Sequence, residues 1–255
     1  MLVGQGRICA PAPPTHKTPS FHLNLDMIKS GEEENDHSQK GEQPKVGTRS
    51  VGLMGGTFDP IHLAHLIVAE EVRYALNLNE MVFVPAGEPP HKMNRTTAPV
   101  KDRLAMVEMA VASNPHFSVS RVEVDRSGPS YLVDTLRLLK KQWGQETDLY
   151  FVIGWDSLED FPTWYKPAEI LEQLKRLVVV HRPGYQEDEA YNQQLETRLP
   201  GLLQKVCLVA APQLDISSTN LRQRIVENRP IKYQVPAEVE AYIQSHHLYQ
   251  HRTES

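Results

Sequence analysis

Two histidines three residues apart, His62 and His65, stand directly behind a Gly-Gly turn in the stretch GGTFDPIHLAH, Gly55–His65. On a helix that spacing sets both imidazoles on one face near the N-terminus, where they can donate to the same anion. Gly55 and Gly56 let backbone come close to a ligand, Thr57 and Phe58 carry the turn onward, and the free N–H groups of a helix's first turn suit phosphate. The chemistry these parts fit is the binding of phosphate. The plain alternative is a Gly-Gly turn, an Asp-Pro helix start and two surface histidines.

Four further tracts carry suitable residues. In GEPPHK, Gly87–Lys92, two prolines stiffen a loop from which His91 and Lys92 project, a point charge for phosphate or else a solvated lysine. In GWDS, Gly154–Ser157, Asp156 follows a buried run and a glycine; it can accept from a ribose, or it can cap a helix. HRPG, His181–Gly184, contributes Arg182. ISSTNLR, Ile216–Arg222, sets Ser217, Ser218 and Thr219 before a helix that carries Arg222, so hydroxyls, amides and a guanidinium meet; a run of Ser and Thr there also reads as a simple cap.

The elements that must position these tracts follow from periodicity. Short apolar, β-rich runs occur at Val51–Met54, Met81–Val84, Phe117–Val124, Leu149–Ile153, Leu177–His181 and Val206–Ala210. Helical patterns lie between and after them, at Leu66–Leu76, Val100–Ser113, Tyr131–Trp143, Ala168–Leu174, Glu187–Leu199, Asn220–Glu227 and Ala237–His246. Such alternation predicts an α/β fold, a doubly wound parallel sheet in a single Rossmann-like domain closed by C-terminal helices. All five tracts then fall at the carboxyl ends of strands, where open α/β sheets bind ligands.

Composition narrows the function classes. A formal net charge of -5 argues against non-specific nucleic-acid binding, and only Cys9 and Cys207 are present, which rules out a disulfide framework and fits a reducing, cytoplasmic setting. No run approaches the roughly 18 apolar residues of a membrane span. Residues 1–49 begin rich in proline and continue, from Gly31, charged and polar; they are expected to form a disordered extension, with the folded domain over residues 50–251. A homo-oligomer is compatible with all of this.

Taken in order, GGTFDPIHLAHL, PPHK, SYLVDTL (Ser130–Leu136), the GxD of Gly154–Asp156, PTWY (Pro162–Tyr165), RPG (Arg182–Gly184) and ISSTNLR resemble the bacterial nicotinate-nucleotide adenylyltransferases of the HxGH nucleotidylyltransferase superfamily. The resemblance covers about Val51 to Tyr249. Ala64 stands where the signature has glycine, and Trp155 where the family usually carries something small. The resemblance implies transfer of AMP from ATP to nicotinate mononucleotide, giving nicotinate adenine dinucleotide and pyrophosphate on the route to NAD. It also implies in-line attack without a covalent intermediate, and Mg²⁺ carried by the ATP phosphates rather than by a protein metal site.

By the same resemblance His62, His65 and Arg222 contact the ATP phosphates, and with Lys92, read from its Pro-stiffened loop, they are the expected catalytic groups. ATP is held by Gly55, Gly56, Thr57, Phe58, His62, His65, Gly154, Asp156, Arg182, Ile216, Ser217, Ser218, Thr219 and Arg222, with Asp156 on the ribose. Nicotinate mononucleotide is held by Lys92, Ser130, Tyr131, Thr135, Trp164 and Tyr165. Two other readings stand beside this one: an adenylyltransferase acting on nicotinamide mononucleotide or another small phosphate, and a nucleotide-sensing module without turnover.

Overall fold

Strands buried on both faces must read as nearly continuous apolar runs, because helices cover each side of the sheet. The computed structural model, which describes residues 48–87, 98–181, 188–212 and 214–250, has this architecture. The chain runs β1 (Ser50–Gly56), α1 (Leu63–Ala75), β2 (Glu80–Pro85), α2 (Val100–Val111), β3 (Phe117–Val119), α3 (Leu132–Trp143) and β4 (Asp148–Gly154). It continues through α4 (Trp155–Asp160), a 3₁₀ turn (Phe161–Thr163), α5 (Pro167–Gln173), β5 (Arg176–His181), α6 (Glu189–Arg198), α7 (Leu202–Lys205), β6 (Val206–Ala210), α8 (Ser218–Val226) and α9 (Ala237–Ser245).

Among the described residues the six strands form one sheet in the order β3-β2-β1-β4-β5-β6, each pair parallel. That is the doubly wound order, whose direction reverses between β1 and β4 and leaves a crevice beyond their carboxyl ends. Alternate residues feed two cores. Met81, Phe83, Val178 and Val180 pack on one side with α1, α2 and α9; Val82, Val84, Leu177 and Val179 pack on the other with α3 and α5. Close packing shows at Gly52, where an added Cβ would lie 2.1 Å from Met81 Sδ.

The six expected strands are present, as are the seven expected helices, with shifted ends. β3 stops at Val119 rather than Val124. It is an edge strand bonded to β2 alone; past the Ser120 N–H, which donates to the Phe83 carbonyl at 2.9 Å, the chain turns through Arg121–Asp125 and carries Glu123 inward. α1 begins at Leu63 instead of Leu66 because the His62–His65 pair closes its start, and α8 begins at Ser218 because Ser217 caps it, accepting from the Asn220 N–H at 3.1 Å. α4, α7 and the 3₁₀ turn were not expected; each is too short to show a helical period in sequence. Apart from residues 48 and 49, the expected N-terminal extension lies outside the described residues. The described residues fall within one unit, Val46–Ser255.

Candidate active site

The phosphate turn is pinned from both ends of the chain. After β1, Phe58 takes the left-handed region at φ 48, an uncommon place for a bulky residue. Its buried ring holds it there, edge-on to His65 at 5.1 Å and tilted against Phe83 at 5.9 Å. Asp59 is buried next to it, and its Oδ1 accepts from the Ala98 N–H at 3.0 Å and from the Tyr249 hydroxyl at 2.8 Å. Burial and the Asp59 carboxylate raise the Tyr249 phenol above its ordinary range, so it remains a donor. Arg222 Nη1 donates to the Asp59 carbonyl at 2.7 Å and lies 3.5 Å from Oδ2, while Ser218 Oγ donates to the Pro60 carbonyl at 2.9 Å. The N-terminus of α8 is thereby docked on the turn.

Arg103 completes the anchor. Its guanidinium donates to the carbonyls of Thr57 (2.7 Å), Ala86 (2.8 Å), Gly87 (3.1 Å) and Ala98 (3.3 Å), tying the turn to the end of β2 and the entry of α2. Sequence reasoning passed over it. The signal was present: Arg103 is a charge among the buried positions Leu104, Met106, Val107, Ala110 and Val111 of α2, and a buried arginine requires partners.

The two histidine rings stack at the start of α1, centroids 3.7 Å apart. His65 Nδ1 accepts the His62 backbone N–H at 3.2 Å, which leaves the His65 proton on Nε2. His62 Nδ1 is buried with no hydrogen-bond partner. Burial lowers His62 from 6.5 to about 4; burial, aided by His62, lowers His65 to about 3. Both rings are therefore neutral at pH 7, each offering a single N–H.

These shifts have a signed consequence for stability. The folded state binds fewer protons than the unfolded chain below about pH 6.5, so the contribution is whole above that value and is lost as pH falls toward 4 and 3. At pH 5 the loss is about 2 kcal/mol per histidine. Thermal melts at pH 7.5 and pH 5 check this: the wild type should lose stability between them, and a His62→Gln/His65→Gln double variant should lose markedly less. Equal losses would contradict it.

A cavity of about 710 Å³ opens in the crevice between β1 and β4, lined by Gly55, His62, Ala64 and His65 on one side and Gly154, Trp155, Asp156 and Ser157 on the other, with Trp164 and His181 also in its wall. Asp156 sits in the first turn of α4, whose N-cap is Gly154, so it is not the cap. Trp155 lines the cavity and packs against Tyr191 of α6, ring centroids 5.5 Å apart. Ala64 sits in the same wall. Ser217 spends its side chain as the α8 cap, Thr219 Oγ1 accepts from Arg222 Nη2 at 3.3 Å, and Ile216 packs against the core. Lys92 and Arg182 lie outside the described residues.

The residues expected at the acceptor end gather where β2 ends and α3 begins. Ser130 Oγ accepts the Gly87 N–H at 3.1 Å. Tyr131 and Tyr165 face each other with ring centroids 4.6 Å apart, and Tyr165 is half exposed. Trp164 meets Phe161 at 5.2 Å and Phe151 at 6.3 Å. Thr135 is buried; its hydroxyl donates to Glu123 Oε1 at 2.6 Å, with the Tyr131 carbonyl a second acceptor at 3.2 Å. Glu123 was also passed over, because in sequence it reads as one charge in the mixed run RVEVDR.

A parallel 3-2-1-4-5-6 sheet with a glycine turn and paired histidines at its switch point defines a nucleotide-binding transferase fold, and the cytidylyltransferase-like family model matches residues 53–224. The chain is 50% identical over 204 residues to a Roseiflexus sp. (strain RS-1) protein named "Probable nicotinate-nucleotide adenylyltransferase", covering 80% of this chain and 100% of that one. A Dehalococcoides mccartyi (strain BAV1) protein of the same name is 44% identical over 198 residues, 78% of this chain and 96% of its own. The chain belongs to the nicotinate-nucleotide adenylyltransferase family. The fold also matches a solved structure, the Plasmodium falciparum nicotinic acid mononucleotide adenylyltransferase complexed with NaAD, at TM-score 0.62 and 19% identity, over 79% of this chain and 97% of that one.

Proposed function

We propose that this chain is a nicotinate-nucleotide adenylyltransferase at work: it moves the adenylyl group of ATP onto the phosphate of nicotinate mononucleotide, releasing pyrophosphate and forming nicotinate adenine dinucleotide. The observation that carries the reading is the stacked, neutral histidine pair at the N-terminus of α1, opening on a cavity that also holds Asp156 and Trp164. A phosphate monoester has its second pKa near 6, so the attacking oxygen is already ionised at neutral pH and needs no general base. The work left to the protein is alignment and spreading of charge.

Neutral imidazoles suit that work. They donate N–H groups toward the α-phosphate region without the cost of desolvating a cation, and Arg222 of α8 is assigned to the departing pyrophosphate. Lys92 serves the phosphates shared by donor and acceptor, Asp156 accepts from the adenosine ribose, and Trp164 stacks on the pyridine. Among the described residues no three His, Cys, Asp or Glu side chains converge to hold a metal. Mg²⁺ would arrive on the triphosphate and keep several of its waters. When bound there, the ion neutralises charge on the leaving pyrophosphate.

No helix among the described residues is long and apolar enough to cross a membrane, and the setting proposed is the cytoplasm, where this route to NAD would run. The reading is tested with ATP labelled at the α-phosphate. Label should pass into a dinucleotide of the mass of nicotinate adenine dinucleotide, one per pyrophosphate released; label left in free AMP would show hydrolysis instead.

A further inference from the structure

Glu123 is a buried carboxyl, 7% exposed, that the proposed chemistry does not use. Burial raises its pKa against the pull of hydrogen bonds from Thr135 and Ser130 and of the nearby Arg126. A fold needing only to fill this space would do better with an apolar side chain, since a buried carboxyl must be satisfied on every side. The satisfaction here is specific. Thr135 of α3 donates to Oε1 at 2.6 Å, and the Ser130 side chain is close enough to help hold the carboxyl's pKa down. Ser130 in turn accepts the Gly87 N–H at the end of β2.

The backbone adds a further close approach. A Cβ on Gly87 would lie 2.3 Å from the Glu123 carbonyl oxygen, so the end of β2 runs against the turn that bears Glu123. Three segments therefore meet around Glu123: the end of β2 against its backbone carbonyl, the Arg121–Asp125 turn that bears it, and the Ser130–Thr135 entry to α3, whose Thr135 bonds its carboxyl. That entry also carries Tyr131, whose ring faces Tyr165 one residue beyond Trp164.

We propose that Glu123 is a positioning residue for the acceptor: its carboxyl holds Thr135 at the entry to α3 while its backbone abuts the end of β2, so that the pyridine mononucleotide meets walls already in place. The inference rests on the acceptor proposed above. It makes Thr135 a strut, since its one hydroxyl proton is committed to Glu123. The acceptor then reads the loop's backbone and rings rather than that hydroxyl.

Steady-state kinetics on the full chain separate positioning from simple folding support. Glu123→Ala should raise KM for nicotinate mononucleotide at least tenfold while KM for ATP stays within twofold. Glu123→Gln, which keeps an acceptor oxygen for Thr135, should return KM for the mononucleotide to within about threefold of wild type. Equal rises in both KM values, or unchanged KM values with only a lower melting temperature, would overturn the assignment. Should Glu123→Ala fail to fold, Thr135→Val, which removes the donor to Oε1, is read in its place: a rise of about threefold in the mononucleotide KM alone supports the proposal, and no rise overturns it. Wild-type turnover on nicotinate and nicotinamide mononucleotides is measured first. If only the amide reacts, the acceptor reading fails, and the same KM split is then read with the amide.

Discussion

Replacing His62 or His65 by alanine should lower kcat at least a hundredfold while the fold persists. Each ring is neutral, so each supplies one N–H, and loss of one aligned transition-state donor in a water-poor site costs about 3 kcal/mol. The two substitutions differ in their side effects. His65→Ala also removes the acceptor for the His62 N–H and the edge contact to Phe58, so it should cost about 1 kcal/mol of stability through the loosened helix start. His62→Ala removes a buried ring nitrogen that has no partner but also the stack on His65, so the two effects partly offset and the melting temperature should fall less than for His65→Ala. Saturating kcat and circular-dichroism melts on both variants check this. Near wild-type turnover in both would show that the centre lies elsewhere.

Arg103→Met has the larger effect on stability. Methionine matches much of the arginine's length and leaves no cavity, but the carbonyls of Thr57, Ala86, Gly87 and Ala98 lose their donor together. Stranding buried acceptors costs about 1–3 kcal/mol each before relaxation, so a net loss of about 3–5 kcal/mol is expected. The buried Asp59 carboxylate also loses a neighbouring cation, and the phosphate turn is freed from β2. Activity should fall with stability, by about a hundredfold in kcat/KM even at temperatures where the variant is folded. Urea denaturation and turnover at 15 °C measure the two effects separately. A variant as stable as wild type would mean that those carbonyls are satisfied without Arg103.

The sheet was legible because its strands are buried on both faces and so appear as apolar runs of the right length, and the crevice followed from where Gly55, Gly154 and Ile216 fall after them. What sequence could not carry is which polar group bonds which carbonyl. Arg103 and Glu123 act through backbone and hydroxyl partners that are distant in the chain or on another element, and nothing local to KDRLAMV or RVEVDR names those partners. Asp59 read as a helix start, whereas it is the buried post to which Arg222 and Tyr249 are fastened. The Ser-Ser-Thr run had two readings, cap and phosphate grip; the cap is present at Ser217, and Ser218 serves the turn through Pro60. The end of β3 was missed because Val122 and Val124 are again two apart, although they fall out of phase with Phe117 and Val119; that slip at Ser120–Arg121 is where the chain leaves the sheet edge.

The central claim, adenylyl transfer to nicotinate mononucleotide in the crevice between β1 and β4, is tested most directly by pyrophosphate release. The assay combines the protein with ATP and Mg²⁺ and compares nicotinate mononucleotide, nicotinamide mononucleotide and phosphopantetheine as acceptors. Nicotinate differs from nicotinamide by a carboxylate in place of an amide, so preference requires donors without a facing carboxylate. Asp156 is the sole acidic side chain in the described wall of the cavity, and it lies on the α4 side, while Glu123 is buried and bonded to the Thr135 hydroxyl. The account predicts a kcat/KM for nicotinate mononucleotide about a hundredfold above that for the amide, a difference of about 2.7 kcal/mol, and negligible turnover of phosphopantetheine. Equal efficiency with the two pyridine nucleotides, or a preference for the amide, would contradict the acceptor assignment; absence of pyrophosphate release with every acceptor would contradict adenylyl transfer itself.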